Sequence, residues 1–399
     1  MLTDIDYQTA QKELLQQVIP VAAQDIPLTE AFGRITCQDL IVPFPIPSGP
    51  QSATDGFALN IADLDGAGPL RIVNLNYTDI ADYQLQKGET VPVNTGFRVP
   101  RNTGAVIPHE RVVYQGEYIL IRNSLKPGSN IKQAGEDFQA GDLLAVSGSR
   151  LTAGLISAAA ACGLTSVSVY RKPRVGILNL SPYHSSKRTD NSIGLLPDSN
   201  GPLLASLITR DGGEVKWVAD QGDKNLAEIS TDTDLLLTTG GTYAKGKSEA
   251  QLLLEELGAT ILFWGTRIQP GGHNGSGVFG SRLAICLSGN PAACAVGYEL
   301  LAAPVMRCFQ GLSPNLSRIP ATCVNNISIT KRTSPRFLRG RAACGHNGWE
   351  VEVLAGQKAS MIRSLLDYNA LIEISPGTSQ ITPGTTIDII AVGQLCYQV

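Results

Sequence analysis

Residues 233–249 read TDLLLTTGGTYAKGKSE, an apolar run that ends at two glycines. The run predicts a buried strand of a parallel sheet, and the pattern from Glu249 to Leu257 predicts a helix after the loop. Ligands of open α/β sheets bind at the carboxyl ends of strands, where Gly240 and Gly241 would let the backbone approach an anion with free N–H groups. A simple tight turn is the alternative explanation of this pair.

Composition limits the classes of protein that fit. A chain of 399 residues is expected to form two to four domains, and 43% hydrophobic with 17% charged residues is typical of a soluble globular protein. The amino terminus lacks the pattern of a signal peptide, and no apolar run has the length of a membrane span, which predicts a cytoplasmic protein without membrane contact. Eight cysteines without a Cys-x-x-Cys pair argue against a zinc site or a disulfide framework. A net charge of −3 without a basic cluster argues against nucleic-acid binding.

The order of predicted elements indicates an α/β multidomain fold. We expect a split helical and extended domain of residues 1–47 and 141–172, with a β-rich insertion of residues 48–140 between its two parts. A three-layer α/β domain, residues 173–316, and a small carboxy-terminal β-barrel, residues 317–399, follow. The proline-rich connector 41–50 is predicted to be stiff and extended and to mark a crossing between domains.

Strands and helices alternate in the predicted α/β domain, which implies parallel strands with right-handed crossovers. The predicted strands are Val175–Leu180, Val215–Val218, Leu235–Thr239 and Leu283–Leu287, and the predicted helices are Pro202–Asp211, Glu249–Leu257 and Pro291–Phe309. Three loops, Asp198–Gly201, Gly240–Ser248 and Ser288–Pro291, then follow strands or begin helices. Their convergence on one edge would suit a ligand that carries phosphate.

The predicted β-rich insertion places carboxylates in turns. Asp55 lies in Thr54-Asp-Gly-Phe57, Asp137 ends Gly135-Glu-Asp137, and Glu110 lies between them. Such residues either hydrogen-bond to their own backbone or, beside a phosphate ligand, bind a divalent metal or orient a water. The residues alone leave both explanations open.

Seven motifs, in order and with matching spacing, resemble the molybdopterin molybdenumtransferase family, which includes MoeA and the E domain of gephyrin. They are Thr54-Asp-Gly-Phe-Ala58, Asn94-Thr-Gly96, Gly135-Glu-Asp137, Asp198-Ser-Asn200, Thr239-Gly-Gly241, Gly289-Asn-Pro291 and Phe337-Leu-Arg-Gly340. The resemblance implies a homodimer whose α/β domain is similar to molybdopterin adenylyltransferase, and it makes that enzyme a candidate partner. It also implies insertion of molybdate into molybdopterin-AMP with release of AMP, assisted by Mg²⁺.

The resemblance assigns roles residue by residue. Asp55, Thr95 and Asp137 match residues that line the family's catalytic cleft. The pterin-nucleotide side is matched by Asp198, Gly240, Gly241, Gly289, Asn290 and Pro291. Arg339 and Ser364 match positions associated with molybdate, Ser364 through the looser match of the segment 364–370.

The chain departs from the family at four places and is identified as a divergent member. Pro182 and Tyr183 replace two acids of Gly-Asp-Glu-Leu. In the family's Gly-Asp-x-Asp, Lys247 replaces one acid, and Glu249 retains a carboxylate as the predicted metal ligand. Both lysines of Lys-Pro-Gly-Lys-Pro are missing from Gln269-Pro-Gly-Gly-His273, and Gly104 stands where an acid is usual.

These losses produce two hypotheses. Cation–oxyanion contacts contribute on the order of 1.5–3 kcal/mol each, so losing two lysines would weaken molybdate binding by roughly several hundredfold unless Lys245, Lys247 or Arg267 substitutes. The first hypothesis is a molybdenumtransferase with weakened or altered activity. The second is a catalytically reduced paralogue that binds a pterin or nucleotide, or acts as a scaffold for a partner.

Overall fold

The computed structural model describes residues 1–66, 68–181, 184–185, 196–223, 225–229, 231–243, 246–330, 332–346, 348–393 and 396–397. The chain forms two compact units, one of residues 1–24, 33–37 and 168–399, and one of residues 25–32 and 38–167. The sequence grouped residues 1–24 with 25–47, whereas they belong to the unit that contains the α/β segment. The connector 41–50 lies inside the second unit and marks no boundary between the two. The finer division into four domains stays a prediction.

A seven-stranded sheet forms the centre of the first unit. Its strands, in spatial order, are Leu2–Ile5, Thr260–Thr266, Gly275–Phe279, Arg282–Leu287, Leu235–Thr239, Arg174–Asn179 and Glu214–Asp220. The last four are mutually parallel and correspond to the four predicted strands. Successive side chains of Leu235–Thr239 enter different hydrophobic clusters, Leu235 and Leu237 on one face and Leu236 on the other. Both faces of the sheet are therefore covered, as the prediction of a three-layer α/β fold requires.

Three strands of this sheet were not predicted. Gly275–Phe279 runs antiparallel to both neighbours, and Leu2–Ile5 adds a parallel edge strand to Thr260–Thr266. Glycines interrupt the apolar pattern of Gly275–Phe279 that would predict a strand. Glycine is needed at position 275 because the ring of Trp264 packs against it, and a Cβ there would lie only 2.2 Å from the ring. The edge strand Leu2–Ile5 has no alternating pattern of apolar residues, so only its pairing with Thr260–Thr266 reveals it as a strand.

The helices of the described chain are Tyr7–Leu15, Ala153–Ala161, Asn200–Arg210, Leu226–Ile229, Glu249–Glu256, Pro291–Gly297 and Ala303–Phe309, with a π-helical segment at Tyr298–Ala302. Those that start at Asn200, Glu249 and Pro291 begin within two residues of their predicted starts. Short 3-10 turns are Leu28–Glu30, Ile61–Asp63, Ile80–Asp82, His109–Arg111 and Arg363–Leu365. Ser248 and Gln251 form a reciprocal capping box that begins Glu249–Glu256 directly after the glycine loop.

The predicted helix Pro291–Phe309 is interrupted where Pro304 removes a backbone donor. The carbonyl of Leu300 accepts instead a hydrogen bond from Gln11 Nε2 at 2.6 Å. A π-helical turn accommodates the change in register. The whole helical stretch is long and apolar enough to cross a membrane, but 89% of it is buried inside the protein. Its apolar composition follows from this burial in the core.

The predicted carboxy-terminal barrel is present in the first unit. Its five strands close in the order Gly348–Val353, Arg318–Cys323, Thr386–Ala391, Ala370–Ile374 and Arg336–Gly345, the last pairing again with the first. Cys396–Tyr397 adds a short parallel strand to Arg336–Gly345. Outside this barrel, Ile327–Ser328 pairs with Gln380–Ile381, and His184–Ser185 pairs with Leu196–Pro197.

The second unit is built on a six-stranded, mainly antiparallel sheet. Its strands, in spatial order, are Thr103–Pro108, Gly56–Asn60, Glu89–Val93, Leu70–Ile72, Tyr118–Ile121 and Val112–Gln115. Two short pairs, Gln51–Ser52 with Ile131–Lys132 and Leu40–Ile41 with Leu143–Ala145, accompany it. The chain passes between the units at residues 24–25, 32–33, 37–38 and 167–168, the first within Ala23–Pro27 and the last within Ser166–Tyr170. This unit contains the predicted β-rich insertion.

Candidate ligand site at the sheet edge

One buried side chain joins the three loops that the sequence predicted to converge. Asn200, at the start of the helix Asn200–Arg210, donates through Nδ2 to Thr239 Oγ1 at 2.8 Å and to the Gly289 carbonyl at 2.7 Å. A Cβ added to Gly289 would lie 3.1 Å from Gly240 Cα, so the backbones of two loops are in close contact. The three loops therefore meet at the carboxyl edge of the parallel strands.

The two glycines of the opening stretch are required by their backbone conformation and by packing. Gly240 has φ +80° and Gly241 has φ +60°, in the left-handed region that disfavours other residues. A Cβ on Gly241 would lie 2.9 Å from the Cβ of Leu180. The expectation of free N–H groups is wrong for Gly240, because its N–H donates to the Leu287 carbonyl at 3.1 Å. This bond holds the loop to the neighbouring strand.

Asp198 serves as a cap for the first turn of Asn200–Arg210. Its carboxylate accepts from the backbone N–H of Asn200 at 2.9 Å and of Gly201 at 3.1 Å. Asn290 precedes the helix Pro291–Gly297 and is exposed, with Pro291 at the first helical position, where a missing N–H costs nothing. Both helices thus begin at the same sheet edge.

A cavity of about 1010 Å³ opens at this edge. It is bounded by residues 240–243, by 268–273, by 288–290, and by residues 332, 336 and 357–359 from the carboxy-terminal part of the chain. Barrel and sheet are connected beside it, because Gln269 N–H donates to the Pro335 carbonyl at 3.1 Å and Phe337 N–H donates to the Gln269 carbonyl at 2.7 Å. The cavity lies entirely within the first unit.

Basic side chains outnumber acidic ones in the described lining of this cavity. Arg332, Arg336, Lys358 and His273 line it, against a single carboxylate, Glu249. Within the described ranges, Arg332, Arg336 and Lys358 form no side-chain hydrogen bond or ion pair, and the His273 ring lies 4.9 Å from the Tyr243 ring. A cavity with several cations and one acid is suited to an anionic ligand.

Family models match three successive parts of the chain. Residues 5–163 match the MoeA N-terminal region (domain I and II), residues 185–308 a probable molybdopterin binding domain, and residues 326–392 the MoeA C-terminal region (domain IV). The chain belongs to the MoeA family. A molybdopterin molybdenumtransferase of Staphylococcus epidermidis is 27% identical, with 97% of this chain and 96% of that protein covered. Molybdopterin molybdenumtransferase 2 of Mycobacterium tuberculosis is also 27% identical, with 96% and 98% covered.

A solved MoeA structure shares the fold over almost the whole chain. The molybdopterin biosynthesis MoeA protein of Pyrococcus horikoshii superposes with a TM-score of 0.79 at 22% identity, covering 97% of this chain and 99% of that one. The multidomain α/β architecture with a closed barrel is therefore that of MoeA proteins. Membership in the family places the chain in molybdenum cofactor biosynthesis, with molybdopterin as the related ligand.

The two residues that the MoeA resemblance associates with molybdate lie beneath the cavity and not in its lining. Arg339 and Ser364 are fully buried. Arg339 donates through Nε to Ser364 Oγ at 3.1 Å and through Nη2 to the Gly356 carbonyl at 3.2 Å. Burial and the charge of nearby Arg336 lower the pKa of Arg339 to about 10. A direct contact between these residues and molybdate stays a prediction.

The Arg339 backbone also fixes part of the cavity wall. Gln357, which lines the cavity, accepts from Arg339 N–H at 3.0 Å and donates to the Arg339 carbonyl at 2.8 Å. Ser364 Oγ donates to the Gly356 carbonyl at 2.9 Å. In the structure, both predicted residues therefore support the loop 356–359.

The substitutes proposed for the lost lysines are not in the described cavity lining. Lys247 extends into solvent and pairs with Glu255 at 2.7 Å, and Arg267 lies 3.6 Å from Asp6. Lys245 lies outside the described residues, as do Pro182 and Tyr183, at which the chain departs from the MoeA pattern. The basic residues that do line the cavity were missed as site residues, except that His273 was noted in the departing motif. Arg332 and Arg336 stand next to the Phe337-Leu-Arg-Gly340 motif, but only barrel closure indicates which way they face.

The predicted catalytic residues lie in the second unit. Asp55 Oδ1 accepts from Thr95 N–H at 2.7 Å and from Thr95 Oγ1 at 2.9 Å. These two bonds, chiefly the backbone one, lower the pKa of Asp55. Asp137 is exposed and borders a separate cavity of about 510 Å³ that Glu136 and Lys132 also line. The predicted site is thus divided between the two units.

The described residues do not fit the magnesium ion that the resemblance implies. Mg²⁺ prefers carboxylate, water and phosphate oxygens in octahedral geometry. Glu249 is the one carboxylate in the described lining, where it stands among four basic side chains. Within the described ranges no group of three or more His, Cys, Asp or Glu residues is placed to hold a metal. Glu249, the predicted ligand, therefore does not make a metal site with described residues.

Proposed function

We propose that this chain inserts molybdenum from molybdate into adenylated molybdopterin and releases AMP. The observation that supports this proposal most strongly is the cavity at the sheet edge, about 1010 Å³ and lined by cations without protein partners in the described chain. Adenylated molybdopterin and molybdate are both anionic, so the charge of the lining suits them. Family membership supports the same chemistry.

The residues of the site would contribute by binding and orientation. The loops at Gly240 and Gly289 would bring backbone to the pterin nucleotide, with Asn200 holding the loops together. The basic lining would balance the charge of the phosphates and the oxyanion. Because the described residues do not fit Mg²⁺, its participation remains an inference from the resemblance alone.

The alternative function, a catalytically reduced paralogue, is favoured by the one-carboxylate lining and by the burial of Arg339 and Ser364. A single assay separates the two. Purified chain would be mixed with adenylated molybdopterin, with and without molybdate, and AMP would be measured by chromatography. We expect AMP release that depends on molybdate and yields molybdenum bound to the pterin. Pterin binding without AMP release would support the paralogue and contradict the enzyme.

A homodimer in the cytoplasm is a further part of the proposal. In the second unit, Leu143 and Ile41 are cross-strand neighbours, and each exposes more than half of its side-chain area. The nearby helix Ala153–Ala161 is apolar except for Ser157, although only Ala159 is buried. Uncovered apolar surface of this kind is typical of a protein interface. The molybdopterin adenylyltransferase, which would supply the adenylated substrate, is the proposed transient partner.

We predict that Leu143→Glu converts the dimer to a monomer, because a charge opposite Ile41 would be desolvated in the interface. Sedimentation velocity would show the change in mass. Ile61→Glu is the matched control, since Ile61 is similarly exposed in the same unit but belongs to a different element. A wild-type monomer, or dimers of equal stability in both variants, would contradict this assignment.

A further inference from the structure

Three basic residues of the cavity lining are held by anchored backbone. Arg336 begins a barrel strand, and the hydrogen bonds of Pro335 and Phe337 to Gln269 fix the backbone on either side of it. Lys358 lies between Gln357, which is bonded to Arg339, and Ala359, whose carbonyl accepts from Ala292 N–H at 3.0 Å. Arg332 accepts through its carbonyl from Gly377 N–H at 3.1 Å. The side chains therefore emerge from defined positions of the cavity wall.

The charge of these residues is not balanced by the described protein. Arg332, Arg336 and Lys358 form no ion pair with a described carboxylate, and Glu249 is the one described acid in the lining. Arg336 lowers the pKa of the buried Arg339, so two guanidinium groups repel one another at the cavity wall. A dianion in the cavity would relieve this repulsion. Other arginines of the barrel have partners, such as Arg341 with Glu352 at 2.9 Å and Arg318 with Glu373 at 2.6 Å.

We propose that Arg332, Arg336 and Lys358 bind a tetrahedral oxyanion and thereby take the place of the two lysines missing from Gln269-Pro-Gly-Gly-His273. These cations come from the carboxy-terminal part of the chain, whereas the missing lysines belong to the loop 269–273, whose first residue, Gln269, is hydrogen-bonded to the backbone on either side of Arg336. The oxyanion is free molybdate or the phosphate of the nucleotide, and this choice rests on the proposed function. The anion would lie against the loop 356–359, above Arg339.

The inference is tested by titrating the purified full-length chain with sodium molybdate and, separately, with AMP, using isothermal calorimetry at low ionic strength. The variants are Arg336→Gln and Lys358→Gln. Lys358 is exposed, so its replacement is expected to leave folding unchanged. Loss of one charge-assisted contact is expected to weaken binding by about 10-fold or more. Arg336→Lys is expected to restore part of the affinity, because it keeps the charge but loses the planar fork.

Arg341→Gln is the matched control. Arg341 lies on the same strand as Arg336 and carries the same charge, but it pairs with Glu352 in solvent outside the cavity. It should leave both affinities unchanged. Weakened molybdate binding in Arg336→Gln and Lys358→Gln identifies molybdate as the anion, and weakened AMP binding identifies the nucleotide phosphate. Unchanged affinity for both probes, or an equal loss in Arg341→Gln, overturns the inference.

The proposed function can fail independently of this inference. If the wild-type chain releases no AMP from adenylated molybdopterin but Arg336→Gln still weakens oxyanion binding, the transferase proposal fails and the binding site stands. If the wild-type chain releases AMP, but Arg336→Gln and Lys358→Gln bind both probes as tightly as wild type, the transferase proposal stands and the assignment of these cations fails.

Discussion

Arg210→Met is expected to lower the free energy of unfolding by about 3 kcal/mol at neutral pH. Arg210 forms two bonds to the buried carboxylate of Glu299, at 2.7 and 2.9 Å, and also contacts Asp211. Without the guanidinium, Glu299 would face Asp211 with its charge uncompensated. Urea denaturation, followed by circular dichroism, measures the loss.

The destabilisation should depend on pH. Burial already raises the pKa of Glu299 in the native chain, and removal of Arg210 would raise it further. A carboxyl group whose folded pKa exceeds its unfolded pKa gives stability at low pH that is lost as the pH rises through the folded value. We therefore expect Arg210→Met to cost less at mildly acidic pH than at neutral pH. A loss that is constant or larger in acid would contradict this explanation.

The control for this variant is Arg341→Met. Arg341 pairs with Glu352, but both side chains are about half exposed, so the expected cost is about 0–1 kcal/mol. The hydroxyl of Tyr368 also donates to Glu299 at 2.8 Å, so the buried network connects the barrel to the helical stretch 291–309. Equal losses in Arg210→Met and Arg341→Met would show that the buried ion pair contributes no more to the free energy of unfolding than the exposed pair.

Asn200→Ala is expected to reduce molybdate-dependent AMP release on the order of 100-fold. The side chain bonds to Thr239 and to Gly289, so its loss would free two of the three ligand loops from their common anchor. The partly buried Gly289 carbonyl would lose its partner, which costs about 1–3 kcal/mol or less locally. Steady-state kinetics with adenylated molybdopterin would measure the change.

Ser199→Ala is the neighbouring control, because the Ser199 side chain does not cap the helix. It should keep wild-type turnover and stability. Thermal unfolding of Asn200→Ala would show whether the chain remains folded at the assay temperature. A folded Asn200→Ala with wild-type turnover would mean that the meeting point of the three loops is not the site.

Much of the fold could be predicted because its main signals are local. Leu235–Thr239 is buried on both faces and is followed by a capping box, so neighbouring residues of the sequence predict the strand, the loop and the helix. Gly275–Phe279 was missed because two of its residues, Gly275 and Gly277, are glycines, and its strand character depends on pairing with its neighbours. The break at Pro304 is a local signal that was passed over, whereas the compensating bond from Gln11 is a tertiary one.

The candidate site was predictable only on its sheet side. Asp198, Gly240 and Gly289 follow strands or begin helices, so parallel topology brings them together. The barrel side could not be derived in this way, because closure of five strands decides whether Arg336 or Arg339 faces the cavity. Lys247 was expected near the ligand from its position in the loop, but its side chain pairs with Glu255 near the end of the following helix instead.

The central claim is that the sheet-edge cavity of the first unit binds the pterin nucleotide. Hydrogen–deuterium exchange of the full chain, with and without adenylated molybdopterin, tests it most directly. We predict slower exchange in residues 198–203, 240–243, 268–273 and 288–293 when the ligand is present. Unchanged exchange in all four segments, with ligand binding verified in the same sample, would contradict the claim.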